Sequence, residues 1–193
     1  MIKTVTALLV LGVPVGAIGQ ASGGLAAGVG TGAVSIRNID NQFIEAIEGR
    51  GIVGYEVGLF MKVPAGPLYL RPQLLYSRAT GMVDYEEFDG DAGRSDFTIH
   101  RLQVPITLGV SILGPIGVEG AIVYNRMLHA TERFGPSTIQ LGRSGLGYRI
   151  GPALDLDPLV LHLSYEGAAY SSSINRTAFR EPHRLVFGLG IRL

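Results

Sequence analysis

The residues that most constrain the fold are the eleven from His183 to Leu193, H-R-L-V-F-G-L-G-I-R-L. Leu185, Phe187, Leu189, Ile191 and Leu193 fall on one parity, and Arg184, Val186, Gly188, Gly190 and Arg192 on the other. That is the period of two of a strand with one apolar face. Such a strand at the margin of an open sheet leaves an edge that templates aggregation, whereas a closed barrel pairs its last strand with its first. The expectation is a barrel sealed by this strand.

Seven further segments alternate in the same way: Gly24 to Ile36, Ile52 to Val63, Leu68 to Ser77, Phe97 to Leu113, Gly117 to Leu128, Gly145 to Asp155 and Leu159 to Tyr170. Most reach the roughly 9–11 residues that a tilted strand needs to cross a bilayer. Three connections are tight-turn chemistry: Pro64-Ala65-Gly66-Pro67, Gly114-Pro115-Ile116 and Leu156-Asp157-Pro158. The other four, around 37–51, 78–96, 129–144 and 171–183, are long and polar. Short and long alternate throughout, which predicts an eight-stranded antiparallel up-and-down barrel with both ends of the domain on the short-turn side.

Alternation says that there are two faces but not which one meets water. A soluble barrel turns its apolar face inward, and a membrane barrel turns it outward to lipid. Tyrosine position decides between them. Tyr55, Tyr76, Tyr124, Tyr148 and Tyr165 share the apolar parity and lie toward the long-loop end of their strands, as an interfacial aromatic girdle requires. The opposite parity carries Glu56, Lys62, Arg71, Gln73, Arg101, Gln103, Glu119, Asn125, Arg149, Asp155, His162, Glu166, Arg184 and Arg192. Of these, Glu56, Arg71, Arg101, Glu119, Arg149, His162, Glu166 and Arg184 are expected to form a polar network that plugs the lumen. Gly28, Gly30 and Gly32 face the same interior and relieve its crowding. Pro72, Pro105 and Pro152 fall inside strands, where each removes a ladder donor, so bulges are expected there.

Composition narrows the classes. Formal net charge is zero, so there is no polybasic footprint for nucleic acid. Cysteine is absent, excluding disulfides and thiolate chemistry. No apolar run is long enough for a mature transmembrane helix. Residues 1–21 read as a cleaved secretory leader: Lys3 is the positive start, Val5 to Ile18 the apolar run, and Ala17, Gly19 and Ala21 the small residues at which cleavage occurs. Residues 22–193 form the barrel domain.

Gly54 to Tyr76, G-Y-E-V-G-L-F-M-K-V-P-A-G-P-L-Y-L-R-P-Q-L-L-Y, resembles the small outer-membrane β-barrel family common in Bacteroidota and grouped with porin-like and PorT-like proteins. The resemblance continues through Leu102-Gln103-Val104-Pro105-Ile106, similar to the family's L-x-I-P-L strand, then Gly117 to Leu128 and Gly147 to Pro152, and spans nearly the whole mature chain. Pro105 matches a proline of that pattern. Gln73 stands where an acid is usual, and Leu193 where such barrels usually end in an aromatic. The resemblance implies an eight-stranded barrel in a Gram-negative outer membrane and no activity.

Three motifs suggest chemistry. Gly28-Val29-Gly30-Thr31-Gly32 has the glycines of a phosphate cradle, but a strand rather than a helix N-terminus follows it. Asp84 to Asp91 is acidic enough for calcium or for cation bridges to lipopolysaccharide, yet its spacing fits no EF-hand and a solvated loop is favoured. His162, Ser164 and Glu166 share one strand face, as nucleophile and base do in lipid A deacylase barrels. They lie on the lumen parity near the Asp157-Pro158 turn, with same-face spacing of about 6–7 Å, so a polar network is favoured over catalysis.

The expectation is therefore a monomeric, non-enzymatic outer-membrane barrel with a structural or surface-interaction role. It needs no cofactor or metal, and its partners are membrane lipid, lipopolysaccharide and, during insertion, the barrel-assembly machinery. The alternatives are a narrow passive pore, a barrel enzyme modifying lipid or lipopolysaccharide, and a secreted soluble barrel carrying an apolar ligand.

Overall fold

The computed structural model describes residues 21–38, 47–86, 92–132, 144–171 and 177–193. Residues 1–20 of the expected leader and residues 87–91 of the acidic stretch lie outside them. Eight strands follow one another: β1 Ser22–Asn38, β2 Ile47–Ala65, β3 Leu68–Glu86, β4 Ala92–Leu113, β5 Ile116–Glu132, β6 Ser144–Leu156, β7 Leu159–Ser171 and β8 Thr177–Arg192. Each pairs antiparallel with its neighbour in sequence, and β8 returns to β1 to close the barrel. Leu193 N donates to Gly23 O at 3.0 Å across that seam.

The three short turns follow from their residues. Gly66 and Gly114 take φ of 64° and 55°, the left-handed region that glycine enters without a Cβ penalty. Proline ends the extended register without surrendering its carbonyl: Pro67 O, Pro115 O and Pro158 O accept from Ser111 N, Asp155 N and Arg192 N, each at 2.8 Å. Every short turn is thereby tied to the adjacent wall.

The strands run further toward the long-loop end than alternation predicts. β3 continues past Ser77 to Glu86, and β4 begins at Ala92 rather than Phe97. Backbone pairing persists there because a closed ladder satisfies every donor whatever the side chains are.

The prolines correct another expectation: none of the three marks a bulge. The β2–β3 ladder skips from Phe60↔Gln73 to Val63↔Leu70 beside Pro72. The β3–β4 ladder skips from Pro72↔Ile106 to Leu75↔Gln103 beside Pro105, and the β6–β7 ladder from Ile150↔Tyr165 to Ala153↔His162 beside Pro152. In each case pairing resumes in the same register. A missing N–H deletes a bond, whereas a bulge needs an extra residue. Register slips elsewhere: toward the long loops an extra residue enters β2 between Arg50 and Val53, β5 at Leu128, β7 between Ala168 and Tyr170, and β8 between Arg180 and His183, and beside a short turn one enters β4 between Ser111 and Leu113.

The two faces are sharply divided. Arg71, Arg101 and Arg149 point inward and are 3%, 4% and 6% exposed, while Leu74, Ile106 and Leu185 point outward at 49%, 41% and 51%. In water this partition is upside down, since it buries charge and exposes hydrocarbon. Against lipid it is the favourable one, because a closed barrel satisfies its backbone and presents only apolar side chains.

Candidate functional site

The lumen is filled by side chains in tiers, because inward residues of neighbouring tilted strands meet in layers. In the largest tier Arg149, from β6, reaches across the barrel. Its Nη1 and Nη2 donate to Glu56 Oε1 and Oε2 at 2.9 and 2.7 Å, and its Nε donates to Glu166 Oε2 at 2.5 Å. Arg184 Nη2 donates to Glu166 Oε2 at 2.8 Å and to Gln103 Oε1 at 3.2 Å, and Gln103 Nε2 donates to Asn125 Oδ1 at 2.7 Å. Two guanidinium groups thus face two carboxylates with an amide pair alongside. The fork geometry of Arg149 matches both acids at once.

A second tier lies closer to the short turns. Arg71 Nη2 donates to Glu119 Oε2 at 2.5 Å, and Tyr69 Oη donates to the other oxygen of Glu119 at 2.6 Å. A third joins Lys62 and Arg192 to Asp155, with Lys62 Nζ 4.1 Å from the centre of the Tyr69 ring. The structure therefore brings Glu56, Arg149, Glu166 and Arg184 into one cluster and Arg71 with Glu119 into another. Arg101 is buried in the lumen, and His162 stands between the tiers without joining either cluster.

Tyr69 and Phe60 were not singled out by the sequence reading, yet both point inward and are buried. Counting parity from Arg71 and from Glu56 finds them. Room is made by glycine: a Cβ on Gly109 would lie 2.1 Å from the Tyr69 ring, and one on Gly188 would lie 2.1 Å from the His162 ring. Neither position accepts a larger residue without moving a packed aromatic.

His162, Ser164 and Glu166 are all inward and buried, but they are not linked as a relay. Glu166 is bonded to Arg149 and Arg184, whereas His162 Nδ1 and Ser164 Oγ have no hydrogen-bond partner. His162 and Ser164 line a small cavity of about 10 Å³ with Gln73, Thr107 and Glu119. Nucleophilic catalysis needs the base within hydrogen-bond reach of the nucleophile and oriented by a third group, and this arrangement supplies neither. The glycines of 28–32 lie within β1, which continues as strand to Asn38. Among the described residues no group of three His, Cys, Asp or Glu side chains is disposed to hold a metal.

On the outer wall the five tyrosines form a belt. Tyr55, Tyr124, Tyr148 and Tyr165 are 44%, 44%, 40% and 39% exposed, and Tyr76 is half-buried. Tyr55 is opposite Arg78, two positions from Tyr76; Tyr124 is opposite Leu146, two from Tyr148; and Tyr148 is opposite Gly167, two from Tyr165. This repeated offset is the stagger that keeps a ring level when strands tilt. Tyr76 Oη and Tyr165 Oη are each 2.5 Å from the Nδ1 of a histidine on the next strand, His100 and His183. Below the belt the wall is Val57, Leu59, Leu74, Ile106, Leu108, Ile122, Ile150, Leu163 and Phe187, apolar down to the short turns.

No protein-family model matches the sequence, and no curated protein does. Among solved structures the chain is similar to neisserial surface protein A, with 16% identity over 90% of this chain and 99% of that one and a TM-score of 0.49. It is also similar to Ail, the attachment invasion locus protein of Yersinia pestis, with 13% identity, 90% and 99% coverage and a TM-score of 0.45. The Yersinia pestis outer membrane protein Ail in a phospholipid bilayer nanodisc matches with 16% identity, 90% and 100% coverage and a TM-score of 0.41.

Proposed function

We propose that the chain is an integral outer-membrane β-barrel protein of a Gram-negative bacterium, with a structural or surface-interaction role carried by its outer end. The observation that carries this reading is the inverted partition of side chains: Arg71, Arg101 and Arg149 3–6% exposed inside and Leu74 and Leu185 about half exposed outside. A wall of that kind is stable where the outside is hydrocarbon. The Bacteroidota PorT-like group remains the family that the motifs around Gly54 to Tyr76 and Leu102 to Ile106 favour.

The protein is a non-enzymatic monomer in this reading. Glu166 is committed to two arginines and no base reaches Ser164, which supports the absence of a hydrolytic centre. Arg149 and Glu56 span the lumen, which supports a plugged barrel over a conducting one. Outer-membrane lipid surrounds the belt, and the barrel-assembly machinery receives the strand that closes on β1.

The test is membrane fractionation followed by electrophoresis of boiled and unboiled samples. The protein is expected in the outer-membrane fraction, with two migration positions that merge on boiling. Recovery in the soluble fraction with a single position would overturn the reading. Lipid hydrolysis by the purified protein that disappears in Ser164→Ala would overturn its non-enzymatic part, and steady unitary conductance in a planar bilayer would overturn the plugged lumen.

A further inference from the structure

Above the tyrosine belt, basic side chains gather on the outer face of β3, β4 and β5. Arg78 and His100 are directly paired across β3 and β4, and His100 and His129 across β4 and β5. Arg126 is opposite Leu102, two positions along β4 from His100. Such diagonal neighbours lie within reach of long side chains. Arg78, Arg126 and His129 are exposed and His100 is half-buried. Among the described residues neither Arg78 nor Arg126 makes an ion pair. Asp96, the exposed acid on β4, stands four positions beyond His100 toward the loops.

Two features show that this grouping is constructed. The first is the bulge in β5: His100 pairs with His129 and Arg101 with Met127, so Leu128 is the extra residue. Strict alternation would send Leu128 outward and His129 inward, but the bulge turns both to the outer face. It places the His129 ring 6.2 Å from that of His100. The second is the bond between Tyr76 Oη and His100 Nδ1 at 2.5 Å. With Nδ1 engaged by the belt, Nε2 is the ring nitrogen left to meet a ligand.

We propose that Arg78, His100, Arg126 and His129 form a lateral binding site for the phosphate of an outer-leaflet lipid, the phosphorylated sugar headgroup of lipopolysaccharide. The guanidinium groups of Arg78 and Arg126 and the Nε2 of His100 offer N–H donors on one face, with the His129 ring beside them, the chemistry that phosphate oxygens accept. The site opens sideways rather than toward the loops. It lies directly above the tyrosines, the level of lipid headgroups, with apolar wall beneath for the acyl chains. A free anion has no use for that wall, so the geometry favours a phosphate carried on a lipid. The inference rests on the outer-membrane reading and gives that membrane a specific contact.

The test uses the full barrel purified into phosphatidylcholine nanodiscs that contain bisphosphorylated lipid A, lipid A stripped of its phosphates, or bisphosphorylated lipid A with excess inorganic phosphate added. Heat-modifiable migration is checked first in each sample, for the wild type, R78Q/R126Q and His129→Asn. The wild type is expected to retain bisphosphorylated lipid A about 10-fold better than R78Q/R126Q, and better than the dephosphorylated lipid by a similar factor. His129→Asn is expected to fall between them. Excess inorganic phosphate is expected to leave lipid A bound. A barrel that fails to insert overturns the membrane reading and this site with it. A barrel that inserts but holds both forms of lipid A equally, or equally in wild type and R78Q/R126Q, overturns the site alone. Displacement of lipid A by inorganic phosphate overturns the lipid as the source of the phosphate.

Discussion

Strand β4 carries two chemistries on one backbone. Toward the lumen it turns Arg101, Gln103 and Thr107, all buried; toward the outside it turns Ile106, Leu108 and Val110, all exposed. The ladder to β3 and β5 treats both sets alike. What differs is how each face is stabilised. The lumen depends on partners: every buried charge must find its opposite, and losing one leaves the other stranded. The outer wall depends on area and on the absence of charge, so a leucine there is replaceable by another apolar residue and not by an ion.

Arg149→Met should be the most damaging change to this balance, because it removes the guanidinium that bonds both Glu56 and Glu166. We expect a loss of about 3–5 kcal/mol in denaturant unfolding from vesicles, the usual consequence of breaking a buried ion pair. A loss under about 1 kcal/mol would mean that the lumen is held by packing rather than charge. On the outer face, Leu163→Arg at the middle of β7 should cost about 2–4 kcal/mol in the same measurement. If Leu163→Arg proved neutral, that stretch of wall would not lie in hydrocarbon. The smallest effect belongs to the belt, where Tyr148→Ala should cost about 1 kcal/mol. The effect should shrink further in detergent micelles, which lack a sharp headgroup layer; equal losses in micelles and bilayers would assign the ring to packing alone.

Much of this division was readable from alternation. The parity of Leu185, Phe187 and Ile191 against Arg184 and Arg192 states the two faces of β8 directly, and the turns at Gly66 and Gly114 state where the chain reverses. The partners inside the lumen were not readable in that way. Arg149 and Glu56 are 93 residues apart, and their meeting depends on barrel closure and on the stagger between strands, which no local pattern encodes. The upper ends of the strands were missed for a different reason. Beyond the belt the outer face of β3 is polar, so Arg78 and Thr80 show no apolar alternation although the ladder continues through them. The prolines misled because a lost donor and an added residue look alike in sequence, whereas the extra residue at Leu128 sits in an unremarkable polar stretch.

The seam between β1 and β8 has a topological consequence. Because Leu193 N lies 3.0 Å from Gly23 O, the beginning and end of the barrel wall are already neighbours, on the same rim as the three short turns. A chain cut at Gly66 and rejoined across that seam would preserve all eight strand pairings and change only which strand is made first. The order of strands along the gene is thus separable from their order around the ring.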